Sequence, residues 1–500
     1  MKNATKRLEK SREFWLILGI TLLFFLLRIP SLFEPEWYGD EGIYQTIGLA
    51  LTRGRVLYLD IWDNKPPLLY YTYAFVHGEL FLIRLLSLIT GIFTIISFSL
   101  LANVVLKKTR GVIAAVSLFA ILFGLPIFEG NIANAENFML LPIITAVFLA
   151  YRACIQSQEY TKLNTKYLLI AGLLLGTAFL YKIVAVFDFA AIFIFILFCL
   201  LPQKLSKDNF VLFFKKQWSI LVLLLIGFLL PFLLSLIFFT FHGALYAYIQ
   251  AIFLSTVGYV GHSNSFFIPQ GLLISKILLV ILILGGIFTK RKKLSPTLIL
   301  IGVWITLSLF NSFFSHRPYT HYLIVLLPPI SLLGGLVFIS NSKQKIITAS
   351  IFIFIGCITL NFFDHWSIQR TKSYYTNFIT YVGGNNSMQE YYSFFDKKAV
   401  RDEQIAAFIK KRMGEDDKSL FLWGNSAQLY YMTDTLPPGR FTVAYHINGI
   451  TLNMNETSIA IKKQPRFIII LDNAPIYPFP MYNYKQILKM HEANIYERTY

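Results

Sequence analysis

Apolar residues in this chain come in long unbroken runs. They do not alternate as in a half-buried strand, nor fall on one stripe as in a soluble helix. Runs able to cross about 30 Å of hydrocarbon lie at 14–32, 80–106, 112–128, 138–154, 167–181, 183–201, 218–241, 271–289, 296–314, 322–340 and 345–363. The pattern predicts about eleven membrane helices. The pair flanking Tyr181-Lys182 reads either as two helices joined by a tight turn or as one broken element. The first run follows a basic head, Lys2 to Arg12. It is long and no small-residue cleavage site comes after it, so it is expected to remain as an uncleaved span.

Beyond residue 363 the pattern changes. Segment 401–413 spaces Ala, Ile and Phe among charges at helical intervals. Ser419 to Trp423 and Arg466 to Leu471 read as short buried strands. Pro437-Pro438-Gly439 and Asn473-Ala474-Pro475 are turn signals. No internal repeat is visible, so the inverted halves of many transporters are not indicated. The expected fold class is an α-helical polytopic membrane protein with a small C-terminal extracytoplasmic α/β domain. Its membrane domain is 1–363, including a first outer loop at 33–79, and its tail domain is 364–500.

Composition agrees. Of 500 residues, 56% are hydrophobic and 14% charged, against about 25% charged in soluble domains. The net charge of +18 raises nucleic acid as a partner, but its distribution excludes it. Most of the basic residues before 350 sit in the N-terminal arm and in short loops: 107–110, 152–166, 202–217, 290–293 and 343–345. That is the bias of cytoplasmic loops facing anionic lipid. It places the N-terminus in the cytoplasm. Loops 33–79, 126–137, 242–270 and 314–321, and with an odd number of spans the tail, face outward. Cys154, Cys199 and Cys357 form no CxxC or paired spacing, so neither a disulfide framework nor a zinc site is expected.

Candidate chemistry collects in the outer loops. The first carries Asp40-Glu41 at the start of a predicted helix over 41–53, in a stretch rich in Tyr, Trp and Leu. The plain reading is a helix cap with a dipole-complementing acid. The functional one is a general base or metal ligand at a membrane-edge cavity. Adjacent helical residues point about 100° apart, so the two carboxylates should do different jobs. Lys65-Pro66-Pro67 holds a lysine in a rigid, extended setting. It is either a stiff turn with an interfacial lysine or a phosphate contact. Glu136, entering the fourth span after Asn134-Ala135, is a cap or a sugar-hydroxyl ligand. Arg317 stands on the outer side against the charge bias. It meets lipid head groups or pairs with a phosphate. His321 and Tyr322 bind phosphate or sugar, or are interfacial belt residues. Arg84, Lys182 and Asp188 lie close to or within spans, where charges face a cavity or a partner, or snorkel outward.

These residues together resemble the GT-C glycosyltransferases. The likeness is to the dolichyl-phosphate-mannose protein mannosyltransferase-like group, which includes the bacterial lipid A aminoarabinose transferases. The matching pieces are Asp40-Glu41, Tyr58 with Asp60 and Trp62, Lys65-Pro66-Pro67, Asn134-Ala135-Glu136, and His321-Tyr322 with Pro328. The resemblance covers about residues 12–365 and the tail only by general type. It implies a polyprenyl-phosphate sugar as donor and a single inverting displacement at the anomeric carbon. No cofactor is expected; most members of the group share no obvious metal motif, and none is visible in this sequence. Asp40 resembles the base, and Glu41 supports the site or contacts the acceptor. Lys65 resembles the lysine on the lipid phosphate, with Arg317, His321 and Tyr322 completing that pocket. Tyr58, Asp60, Trp62 and Glu136 fall at substrate-binding positions. No soluble domain is inserted between spans, which weakens a protein acceptor and leaves lipid or glycan acceptors open. A transporter or flippase of a lipid-linked substrate is the alternative from another class. It would use intramembrane charges such as Lys182 and Asp188. A glycan polymerase or ligase would share the chemistry and differ in acceptor.

Overall fold

The computed structural model describes residues 2–156, 165–201, 207–255, 272–315, 317, 319–362, 368–414, 417–472, 474–490 and 492–499. Each predicted apolar run holds a helix, but several helices end short of the predicted bounds: those predicted to reach 314 and 340 stop at Ser312 and Val337. Among the described residues, eight helices are long and apolar enough to cross a membrane: Arg12–Leu32, Leu80–Leu106, Ala135–Ile155, Ile183–Leu200, Trp218–Phe241, Leu273–Lys290, Thr320–Val337 and Ser342–Asn361. Three other predicted runs are apolar helices of shorter length, Thr109–Gly124, Thr165–Tyr181 and Pro296–Ser312, and a fourth short one, Leu245–Leu254, was not expected. The chain is a multi-pass membrane protein. The run predicted to end at 128 stops as an α-helix at Gly124. Pro126 cannot extend it and opens a short 3-10 turn instead. At Tyr181-Lys182 there are two helices. Lys182 is extended, at φ −156°, and a 3-10 turn over Ile183–Ala185 leads into the next helix.

Two compact units emerge. One comprises Met1–Ile29, Leu86–Ile237 and Thr256–Thr371. The other comprises Pro30–Leu85, Phe238–Ser255 and Lys372–Tyr500. The 33–79 segment therefore groups with the tail, not with the spans that flank it in sequence.

In the first unit, helix Thr165–Tyr181 crosses helix Lys207–Phe241 where Gly172 meets Gly227. A Cβ on Gly172 would lie 2.3 Å from the Leu224 carbonyl oxygen, and one on Gly227 2.4 Å from that of Leu169. Only hydrogen side chains permit this approach, which gains van der Waals contact where lipid offers no hydrophobic drive.

In the second unit, the tail builds a four-stranded sheet ordered β1-β2-β4-β3. Strands β1 (Leu420–Trp423) and β2 (Phe467–Leu471) pair in parallel. Strands β3 (Tyr484–Met490) and β4 (Ala493–Arg498) add an antiparallel hairpin. Leu420, Leu422, Phe467 and Ile469 point to one core with helix Lys397–Arg412. Phe421, Trp423 and Ile468 point to a second core, against which Trp62 packs. Burial on both faces explains why β1 and β2 are continuously apolar in sequence. The 33–79 segment supplies helices Gly39–Thr52 and Pro67–Phe75, the latter with Pro67 at its first turn, where a missing N–H costs nothing.

Candidate active site

Helix Gly39–Thr52 starts without a side-chain cap: its N-cap is Tyr38. Asp40 and Glu41 in its first turn diverge. Asp40 faces Lys65, whose Nζ lies 3.2 Å from Asp40 Oδ2. One turn along, the Tyr44 hydroxyl donates to the same oxygen at 3.0 Å, and the lysine ammonium sits 4.8 Å from the Tyr44 ring centre. Asp40 and Lys65 stay partly open, with side chains 37% and 22% exposed. Glu41 turns into the protein. It receives Arg84 Nη2 at 2.6 Å and Nε at 3.3 Å, and both side chains are buried. Arg84 Nη1 donates to the carbonyls of Ser31 and Glu34. Glu34 in turn accepts from Trp37 Nε1 and from the Tyr374 hydroxyl. Glu41 therefore anchors the helix that presents Asp40.

The lysine is held by its backbone. Its carbonyl accepts from the Tyr58 hydroxyl at 2.7 Å, and its N–H donates to the Tyr70 hydroxyl at 3.2 Å. Tyr70 donates onward to buried Asp63 at 2.7 Å. Tyr58 adopts φ 68° and packs against the stacked rings of Phe239 and Tyr248. Burial holds its phenol well above the usual range, so it acts as a donor. Asp60 is a turn residue that accepts from the Val56 N–H. Trp62 sits edge-on to His446 at 4.9 Å and to Phe441 at 5.7 Å. His446 belongs to the tail and had no signal in the sequence. Its Nε2 is 3.7 Å from Asp63 Oδ1. Tyr44, Asp63 and Tyr70 were likewise not singled out, although Tyr44 stands at the i+4 position from Asp40, where helical side chains meet.

The first unit holds a second polar cluster. Glu129, at φ 56°, accepts from the Thr320 hydroxyl at 2.6 Å and faces His321 Nδ1 at 3.0 Å. His321 Nε2 is 3.9 Å from Glu136, and Glu136 pairs with Lys182. The Lys182 ammonium sits 4.6 Å from the Tyr322 ring centre. Lys182 thus pairs with Glu136 and not with Asp188, which accepts from Trp304 Nε1 at 2.8 Å. Both nitrogens of His321 face carboxylates, an arrangement that suits holding Glu129 and Glu136 in place. Arg317 lies elsewhere in this unit. It lines an apolar groove of about 1470 Å³ with Lys276, whose Nζ donates to the Phe313 carbonyl at 2.6 Å.

Beside the Glu41–Arg84 anchor, a cavity of about 540 Å³ is lined by Glu36, His77, Glu403, Lys410, Tyr431 and Asp434. Burial, and then the charge of Glu403, push Glu36 up to about 7. Between the ordinary carboxylate range and pH 7 the folded chain keeps a proton that the unfolded chain has lost. Stability therefore falls as pH rises through 7. Glu36→Gln removes that loss. It is expected to raise the unfolding midpoint above wild type at pH 8, with the gap shrinking at pH 5. Scans at the two pH values check this, and equal gaps would remove Glu36 as the source.

A family model described as dolichyl-phosphate-mannose-protein mannosyltransferase matches residues 64–213. The crystal structure of ArnT from Cupriavidus metallidurans in the apo state matches with a TM-score of 0.58 at 13% identity, covering 98% of each chain. The same protein bound to undecaprenyl phosphate matches with a TM-score of 0.55 at 12% identity, covering 96% of this chain and 97% of that one. No curated protein matches the chain significantly. The fold is that of ArnT, and the resemblance to GT-C glycosyltransferases read from the sequence is borne out.

Proposed function

We propose that this chain transfers a sugar from a polyprenyl-phosphate donor to an acceptor hydroxyl on the extracytoplasmic face, with inversion and with Asp40 as general base. The observation that carries this is the open Asp40–Lys65 pair at 3.2 Å. It joins a carboxylate able to take a proton to a cation able to meet a phosphate. In the reaction, Asp40 removes the acceptor proton and the acceptor oxygen bonds to the anomeric carbon. The bond from that carbon to the phosphate oxygen breaks, and Lys65 neutralises the departing polyprenyl phosphate. An arriving phosphate competes with Asp40 for the lysine, so donor binding frees the carboxylate for its role. Two further supports are independent. The ArnT structure bound to undecaprenyl phosphate shares the fold. The groove beside Lys276 and Arg317 is apolar with cations along it, which suits an anionic lipid. A cytoplasmic N-terminus, an outward tail and a cell-membrane location accompany this proposal.

The test reconstitutes purified protein with undecaprenyl-phosphate sugars and measures released undecaprenyl phosphate. No release with any donor of a broad panel would refute the assignment. Lys65→Ala should weaken undecaprenyl phosphate binding about 10- to 100-fold, since a hydrogen bond to a charged group contributes about 1.5–3 kcal/mol. Unchanged affinity removes Lys65 from the phosphate site.

A further inference from the structure

Every side chain so far assigned a chemical role near Asp40 comes from the 33–79 segment. The tail adds one more. His446 closes a 3-10 turn over Ala444–His446. That turn is fixed at its start by the Ala444 N–H on the Gly424 carbonyl, and at its end by Asn453 Nδ2 on the His446 carbonyl at 2.7 Å. The loop before it is tied to the 33–79 segment. Arg55 donates to the carbonyls of Pro437 and Gly439, and the Trp62 N–H donates to the Arg440 carbonyl. The imidazole is wedged edge-on against Trp62 and Tyr445 and is 8% exposed. The position is well defined, yet its polar atoms are poorly matched. Nε2 reaches toward Asp63 at 3.7 Å, and Nδ1 is buried with no hydrogen-bond partner.

Leaving a buried polar atom unmatched costs about 1–3 kcal/mol, so such an atom in an ordered loop calls for an explanation. The charges that reach His446 are Asp63, Lys65 and Asp40. Burial outweighs the two carboxylates and brings the imidazole down to about 4, so it is neutral at physiological pH. A neutral imidazole has one N–H and one lone pair. Assigning the N–H to Nε2, the nitrogen 3.7 Å from the Asp63 carboxylate, leaves the lone pair on Nδ1, and a hydroxyl is a group that matches a lone pair.

We propose that His446 is a sugar-binding residue contributed by the C-terminal domain, accepting a hydrogen bond at Nδ1 from a hydroxyl of the transferred sugar. The inference rests on the glycosyltransferase reading above. The sugar is the part of the donor attached to the phosphate, and Lys65 is the cation assigned to that phosphate. His446 faces Asp63, which accepts from the same Tyr70 hydroxyl that receives the Lys65 N–H, so the ring is assigned to the sugar and not to the lipid tail. His446 takes no part in proton transfer. It orients the sugar on its phosphate.

The test compares two ligands on full-length protein in detergent: undecaprenyl phosphate, and the same lipid carrying whichever of mannose, glucose or galactose the wild type turns over. His446→Phe keeps a flat ring and removes both nitrogens. It should weaken binding of the sugar-bearing lipid about tenfold and leave bare undecaprenyl phosphate unchanged. His446→Asn places an amide near Nδ1 and should restore most of the difference, whereas His446→Gln, which mimics Nε2, should not. Equal losses for both ligands, or Gln rescuing as well as Asn, would show that His446 only supports the loop and would overturn the inference. Should the wild type bind bare undecaprenyl phosphate and turn over none of the sugar-bearing lipids, the glycosyltransferase reading fails and His446 falls with it. If wild-type turnover persists and His446→Phe binds both ligands as wild type does, His446 alone is rejected.

Discussion

On the proposed reading, Asp40→Asn is expected to cripple sugar transfer while the protein still inserts, folds and binds undecaprenyl phosphate. The expected loss is about 10²- to 10⁴-fold in kcat, the range that a positioned base contributes. Asparagine keeps the size of the side chain and an oxygen for the Tyr44 hydroxyl, which reaches Asp40 at 3.0 Å in the wild type. It cannot take a proton. It also releases Lys65 from its ion pair, so affinity for the lipid phosphate should hold or rise. That split distinguishes a base from a scaffold. A merely structural Asp40 would lose binding and turnover together. The measurement is donor affinity beside the initial rate of undecaprenyl phosphate release. Full activity in this variant would end the assignment of Asp40 as base.

Much of this architecture was legible in the residues. A bilayer demands about 20 apolar residues per crossing, so the runs announce themselves, and each holds a helix. The divergence of Asp40 and Glu41 follows from helical geometry alone, and Lys65-Pro66-Pro67 reads as a rigid lysine because proline fixes its own φ and restricts its neighbour. Partnerships made by tertiary packing were not legible. Tyr374 reaches Glu34 across 340 residues, and His446 meets Asp63 from the far end of the chain. Nothing local marks either contact. The β3–β4 hairpin was also missed. Its first strand, Tyr-Lys-Gln-Ile-Leu-Lys-Met, is half exposed and slips register between Gln486 and Leu488, which erases the period-two signal. Lys182 and Asp188 lie only six residues apart in the sequence, yet they do not pair. The extended residue and 3-10 turn after Tyr181 help to separate them, and each finds another partner.

Glu41→Gln should cost stability before it costs chemistry. Arg84 is wholly buried and Glu41 nearly so, and they meet at 2.6 Å. Removing one partner of such a pair leaves a buried charge uncompensated, which costs about 3–5 kcal/mol. The neighbouring Glu34 carboxylate, 3.9 Å from Arg84, softens the loss but already serves Trp37 and Tyr374. Arg84→Met should be worse than Glu41→Gln, because it also strips donors from the Ser31 and Glu34 carbonyls. The double variant Glu41→Leu with Arg84→Met should recover part of the sum, since neither charge is then stranded. Unfolding midpoints in detergent for the two single variants and the pair give the coupling directly. Turnover of whatever Glu41→Gln protein remains folded separates the two roles open to this residue. A lowered midpoint with near-normal kcat makes Glu41 the anchor of the helix that carries Asp40. An unchanged midpoint with collapsed kcat would instead place Glu41 beside Asp40 in the chemistry and would contradict the burial that the Arg84 pair implies.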